Sequence, residues 1–76
     1  MIDFNKAKDI AINFAKSKGF NAIESCETEN FYIFIPIGNN GEAIGMSASI
    51  AISKANGKAE LKHYTELLKE TIIKDY

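Results

Sequence analysis

The apolar residues change period near Gly19, and that change sets the order of elements. Before it, Phe4, Ala7, Ile10, Ala11, Phe14 and Ala15 recur at three- and four-residue steps, with Lys6, Asp9, Asn13, Lys16 and Ser17 on the opposite side. This spacing predicts an amphipathic helix over about residues 4–18 with a single apolar stripe. Asp3 is placed to accept a backbone N–H of the first turn, and Gly19 to take the left-handed conformation that ends the helix. Lys16 and Lys18 in the last turn have the sign that complements the helix dipole. From Asn21 the period is two, and β-branched and aromatic residues replace alanine and lysine. Strands follow from that alternation.

The first strand is predicted over Ala22–Thr28, followed by a Glu29-Asn30 turn and a second strand, Phe31–Ile37. In the second strand Phe31, Ile33, Ile35 and Ile37 form one apolar face, which the alternation assigns to the core. Pro36 has no N–H for a ladder hydrogen bond, so this strand is expected to lie at an edge near its end or to bulge there. Gly38-Asn39-Asn40-Gly41 reads as a turn. Gly45–Ser53 alternates again, with Met46, Ala48, Ile50 and Ile52 inward and Ser47, Ser49, Ala51 and Ser53 outward. Asn56-Gly57 is a strong hairpin signal and leads into Lys58–His63, a final strand or already the start of a second helix. Thr65 can cap that helix, in which Leu68, Thr71, Ile72 and Tyr76 share one side with Leu67 near them.

The expected fold class is therefore α+β: a helix, an antiparallel sheet of three or four strands, and a second helix, with both helices packed on one sheet face. Residues 1–76 leave room for one domain. So short a chain needs a dense core, and a 46% hydrophobic composition with twelve isoleucines supplies it. Cys26 is the only cysteine, which excludes an intrachain disulfide and a zinc finger and fits a reducing compartment. The opening residues lack a signal-peptide apolar run and no window is long enough for a membrane span, so a cytoplasmic location without membrane contact is expected.

Net charge is −1, and all nine basic residues are lysine. Without guanidinium forks for phosphate or base edges, nucleic-acid binding is disfavoured. Residues 19–53 carry Glu24, Glu27, Glu29 and Glu42 and no lysine, whereas the flanks carry nine lysines against six acids. The middle of the chain is thus a candidate acidic surface, or simply a solubilising one.

No residue set implies catalysis, a metal or a cofactor. His63 is the sole histidine, and spacing supplies it neither a nucleophile with an orienting acid nor further ligands. Cys26 sits beside Glu27, which would raise a thiol pKa instead of activating it. Alternation puts Glu24 on one strand face and Glu27 and Glu29 on the other, so they form no obvious carboxylate pair. The glycine-rich 38–45 stretch lacks a phosphate-loop pattern. The chain reads as a non-enzyme.

The outer sheet face offers a different possibility. Tyr32 and Phe34 alternate against the core residues of their strand, and hairpin pairing would put Ser47, Ser49 and Ala51 beside them. Two rings on a floor of small side chains, rimmed by Glu24, Glu27 and Glu29, match the anatomy of a protein-binding patch. A covering second helix or a homodimer partner would use the same rings.

Two families share features with the chain. The helix, strands, helix order is similar to that of the double-stranded-RNA-binding domain, with Ser53-Lys54-Ala55 at the place of its second helix start, but Asn56-Gly57 interrupts there and no arginine follows. The opening alanine helix, the aromatic strand Phe31-Tyr32-Ile33-Phe34, the glycine-led apolar strand from Gly45 to Lys58 and the stretch Tyr64-Thr65-Glu66-Leu67-Leu68 resemble the YrhB-like bacterial immunity-protein family. This chain departs from that family in lacking a tryptophan near its aromatic strand, in having Ala48 or Ser49 for a proline, and in having Ser53 for an aspartate. The resemblance implies an intracellular protein that neutralises a cognate toxin by stoichiometric binding. An acidic block would then suit a basic toxin domain.

Overall fold

The computed structural model describes residues 1–41, 48–67 and 69–76. In chain order the elements are α1 (Phe4–Ser17), β1 (Asn21–Thr28), β2 (Phe31–Ile37), β3 (Ala48–Ser53), β4 (Ala59–His63), α2 (Tyr64–Leu67) and β5 (Ile72–Asp75). The strands form one antiparallel sheet in the order β4-β3-β2-β1-β5. The α+β class is as expected, but among the described residues the strands number five instead of three or four, and α2 spans four residues.

The first helix follows its sequence signals closely. Asp3 accepts from the Lys6 N–H at 2.8 Å, Lys18 forms the C-cap, and Gly19 has φ 89°. Its buried stripe is alanine: Ala7, Ala11 and Ala15 are all fully buried. Such small side chains let the helix approach the sheet closely and leave room beneath it for large ones. Tyr32 and Phe34 of β2, Ile50 and Ile52 of β3 and Ala22 of β1 fill that room, flanked by Ile2, Phe4, Ile10, Phe14, Phe20 and Ala59. Burial of side chains of this size contributes about 1.5–3 kcal/mol each before conformational entropy is subtracted.

This packing reverses the expected facing of β2. Its ladder with β3 sets Tyr32 opposite Ile52 and Phe34 opposite Ile50. The isoleucines of β3 face inward as expected, and the register then forces the aromatic pair of β2 inward with them. Phe31, Ile33, Ile35 and Ile37 consequently lie on the face away from α1, alongside Ser49, Ala51 and Ser53.

Pro36 also sits differently from expectation, since β2 is the central strand. Among the described residues, pairing of β2 with β3 runs only from Phe31 to Phe34, whereas pairing with β1 continues through Ala22 and Pro36 to Asn21 and Ile37. The proline thus stands beyond the stretch that needs donors on both sides. Residues 45–47, expected to begin β3, lie outside the described residues.

Ala59–His63 is a strand, reached through a loop in which Gly57 has φ 73° and donates to the Ser53 carbonyl at 2.8 Å. The expected second helix is replaced over Ile72–Asp75 by a strand. Thr71, Ile72 and Ile73 are consecutive β-branched residues, a poor helix sequence, and Ile72–Asp75 pairs with β1 as an edge strand. The chain from β4 to β5 leads from one sheet edge to the other, and its contacts are on the side away from α1. Glu66 pairs with Lys62 at 3.7 Å, the Lys62 ammonium lies 5.1 Å from the Phe31 ring centroid, and Glu70 accepts from the Thr28 hydroxyl at 3.3 Å. The two helices therefore do not share one face. Among the described residues, no helix is long and apolar enough to cross a membrane.

Candidate functional site

The expected aromatic patch is core. Tyr32 and Phe34 are 9% and 1% exposed and pack on Phe4 of α1, edge-on at 5.8 Å and stacked at 5.9 Å between ring centroids. The register described above takes both rings from the outer face, and α1 covers them. Ser49 is on the other face, opposite Lys62 in the β3–β4 ladder, so it does not lie beside the rings. Ser47 lies outside the described residues.

The carboxylates are placed by a β-bulge that alternation could not show. The β1–β2 register runs Glu24 opposite Phe34 and then Cys26 opposite Ile33, with Ser25 as the extra residue. The bulge brings Glu24 and Glu27 to the same face, the α1 side, against the expectation that they lie on opposite faces. Each meets a lysine there. Glu24 pairs with Lys8 of α1 at 2.7 Å, and this hydrogen bond and charge hold its carboxyl below the usual range. Glu27 is bound by the Lys54 ammonium on one oxygen and by the Tyr76 hydroxyl on the other, at 2.7 Å. These two hydrogen bonds, Lys54 first, lower its pKa against the opposing effect of burial. The acidic rim is thereby largely neutralised within the fold. Glu29, at the β1–β2 turn, is exposed.

Lys54 is the least expected member of this group. It is 8% exposed, its ammonium lies 5.0 Å from the Tyr32 ring centroid, and its backbone N–H and C=O bond to Asn30 and Ile2. A buried ammonium needs a carboxylate and an electron-rich ring of this kind. Tyr76 completes the cluster: its ring stacks on Phe4 with centroids 4.3 Å apart. The residue is 45% exposed, and partial desolvation of its hydroxyl, then the bond to Glu27, push its phenol up to about 12.

His63 is exposed and its Nδ1 lies 2.9 Å from the Thr65 hydroxyl and accepts the Thr65 N–H at 3.3 Å, geometry that closes the first turn of α2. Glu60 and Glu66, three residues to either side, both hold Lys62. Cys26 is half-buried beside Ile33 on the face away from α1. Among the described residues, no three His, Cys, Asp or Glu side chains are grouped to hold a metal ion.

The surface feature that alternation assigned to the core lies on that same face. Ile23 of β1 and Ile35 of β2 are direct cross-strand partners and are 46% and 42% exposed, with Ile37 half-buried beside them. Farther along, Ile33 and Ala51 are buried, so the exposed part is one end of the face. A signal was present in the strands themselves, since Phe31-Tyr32-Ile33-Phe34 is apolar on both faces and helices expected on one face leave the other uncovered. Comparison with known proteins gives no matching family model, no curated relative and no similar solved structure.

Proposed function

We propose that this chain is a small cytoplasmic protein-binding module that neutralises its partner by stoichiometric contact, in the manner of an immunity protein, without chemistry of its own. The observation that carries the reading is the exposed cross-strand pair Ile23 and Ile35 on the face away from α1. Apolar side chains on two adjacent paired strands, next to the half-buried Ile37 and Cys26, are suited to the dry centre of an interface. The resemblance to immunity proteins supplies the kind of partner, a toxin domain. Charge contributes less than the sequence suggested, because Lys8 and Lys54 already occupy Glu24 and Glu27.

The test is affinity capture by the tagged chain from the cytoplasm of its own host, repeated with Ile23→Lys/Ile35→Lys. A captured protein that the double variant releases, and whose activity stops at one equivalent of wild-type chain, supports the proposal. A partner held equally by both chains removes the isoleucine pair from the interface. A second reading, a regulatory module acting as a homodimer, is favoured by Ile72 and Ile73, exposed on edge strand β5. Light scattering that returns twice the chain mass at micromolar concentration would select it.

A further inference from the structure

We propose that β5 is a strap that opens from β1 independently of the rest of the sheet, and that Tyr76 is the residue that closes it. All four residues of β5 are exposed, Ile72 and Ile73 at 55% and 54%, and the strand pairs on one side only. Its own side chains thus bury little against the sheet. The register between β5 and β1 is also broken, at Glu27 and Thr28, so the ladder is short and irregular. Elements with few buried contacts and solvent-exposed backbone bonds open at lower free energy than the core.

What holds the strand is concentrated in the residue after it. The Tyr76 N–H donates to the carbonyl of Ser25, the extra residue of the β1 bulge, at 2.9 Å. Its ring stacks on Phe4 at the start of α1, and its hydroxyl donates to Glu27, which Lys54 holds from the other side. One residue therefore joins β5 to the bulge through its backbone N–H, and to the helix and the Lys54–Glu27 ion pair through its side chain. At the other end, Glu70 accepts from Thr28 and Asn30 at 3.3 and 3.4 Å, both long contacts. Opening would bare the outer backbone edge of β1 from Ser25 to Thr28 and admit water to the Glu27–Lys54 pair, while α1 and the β1–β4 ladders stay in place.

Amide hydrogen exchange of the full chain by NMR, followed through a series of low urea concentrations, tests this. The expected result is that β5 amides bonded to β1, and that of Tyr76, exchange at least tenfold faster than those joining β2 to β3, with little urea dependence. Tyr76→Ala should speed them at least tenfold further, and Tyr76→Phe, which removes only the hydroxyl, by a smaller factor. Ile52→Val, a core change, should speed the β2–β3 amides and leave those of β5 unaltered. The proposal is overturned if β5 amides share the rate and urea slope of the β2–β3 amides, if Ile52→Val speeds both sets equally, or if neither Tyr76 variant affects β5. Should Tyr76→Ala fail to fold, Tyr76→Phe and Ile52→Val decide the matter between them.

Discussion

Lys54 and Glu27, far apart in the sequence, are brought together as an ion pair by folding. Each would carry a desolvation penalty alone, and each is compensated by the other, by the Tyr32 ring and by the Tyr76 hydroxyl. Lys54→Ala should therefore cost about 1–2 kcal/mol, because it leaves a half-buried carboxylate without its counter-charge; urea denaturation measures it. Adding Glu27→Gln should recover part of that loss, since the amide needs no counter-charge and still accepts from Tyr76. Acid acts on the same site. The folded-state pKa of Glu27 is depressed below 4.5 by Lys54, Tyr76 and the nearby Lys74, so its contribution is fully present above that value and is lost as pH falls through the folded pKa. Tyr76 has the opposite sign. Its phenol is raised from 10.0 to about 12, so its contribution is present below pH 10 and is lost as pH rises toward about 12. The difference in melting temperature between wild type and Tyr76→Phe should be largest below pH 10 and shrink as pH rises toward about 12.

At the scale of elements, the alanine stripe of α1 and the aromatic pair of β2 define each other. Ala11 is fully buried over the sheet, and Ala11→Leu should cost about 1–3 kcal/mol by lifting the helix from the Tyr32 and Phe34 rings, as overpacking does. Near-ultraviolet circular dichroism would register the disturbed rings alongside a shift in denaturation midpoint. The Ser25 bulge is a second such device. Deleting Ser25 would leave Glu24 and Glu27 on their present face but remove the carbonyl that meets the Tyr76 N–H. The expected outcome is loss of the nuclear Overhauser contacts between the Phe4 and Tyr76 rings, with those between Phe4 and Phe34 retained. Gly57 is a turn position of the same kind: at φ 73° a Cβ would also meet Ile10 Cδ1 at 3.2 Å, so Gly57→Ala should destabilise by about 1–2 kcal/mol from the backbone conformation alone.

For the whole molecule, the arrangement is a sheet apolar on both sides with a long helix on only one. The open end at Ile23 and Ile35 is therefore an apolar surface that the helix leaves uncovered. Ile23→Lys/Ile35→Lys should cost about 1 kcal/mol or less of unfolding free energy per site, since each side chain is partly covered by its strand neighbours. If the proposed function holds, the same variant should weaken partner binding by about 30-fold or more, equivalent to a hot-spot loss of about 2 kcal/mol. A fall in melting temperature that accounts for the lost binding would return these side chains to the core.

Local spacing alone determined a good deal: the span and both caps of α1, the ranges of β1 and β2, the Asn56-Gly57 turn and the α+β class. Those features depend on residues within one or two turns of each other, where periodicity, capping and turn chemistry act directly. Thr71-Ile72-Ile73 reads as helix from spacing because Leu68, Thr71, Ile72 and Tyr76 fit a helical stripe, and pairing with β1 makes Ile72–Asp75 a strand instead. The facing of β2 was beyond any local pattern, since Phe31-Tyr32-Ile33-Phe34 is apolar on both sides and the choice was made by β3 register and by the space beneath three alanines. Ser25 carries no bulge signal, so the shared face of Glu24 and Glu27 followed only once β1 met its neighbours. Tertiary structure decided what lay between elements because register and bulges are set by partners distant in sequence, and a shift of one residue exchanges core for surface.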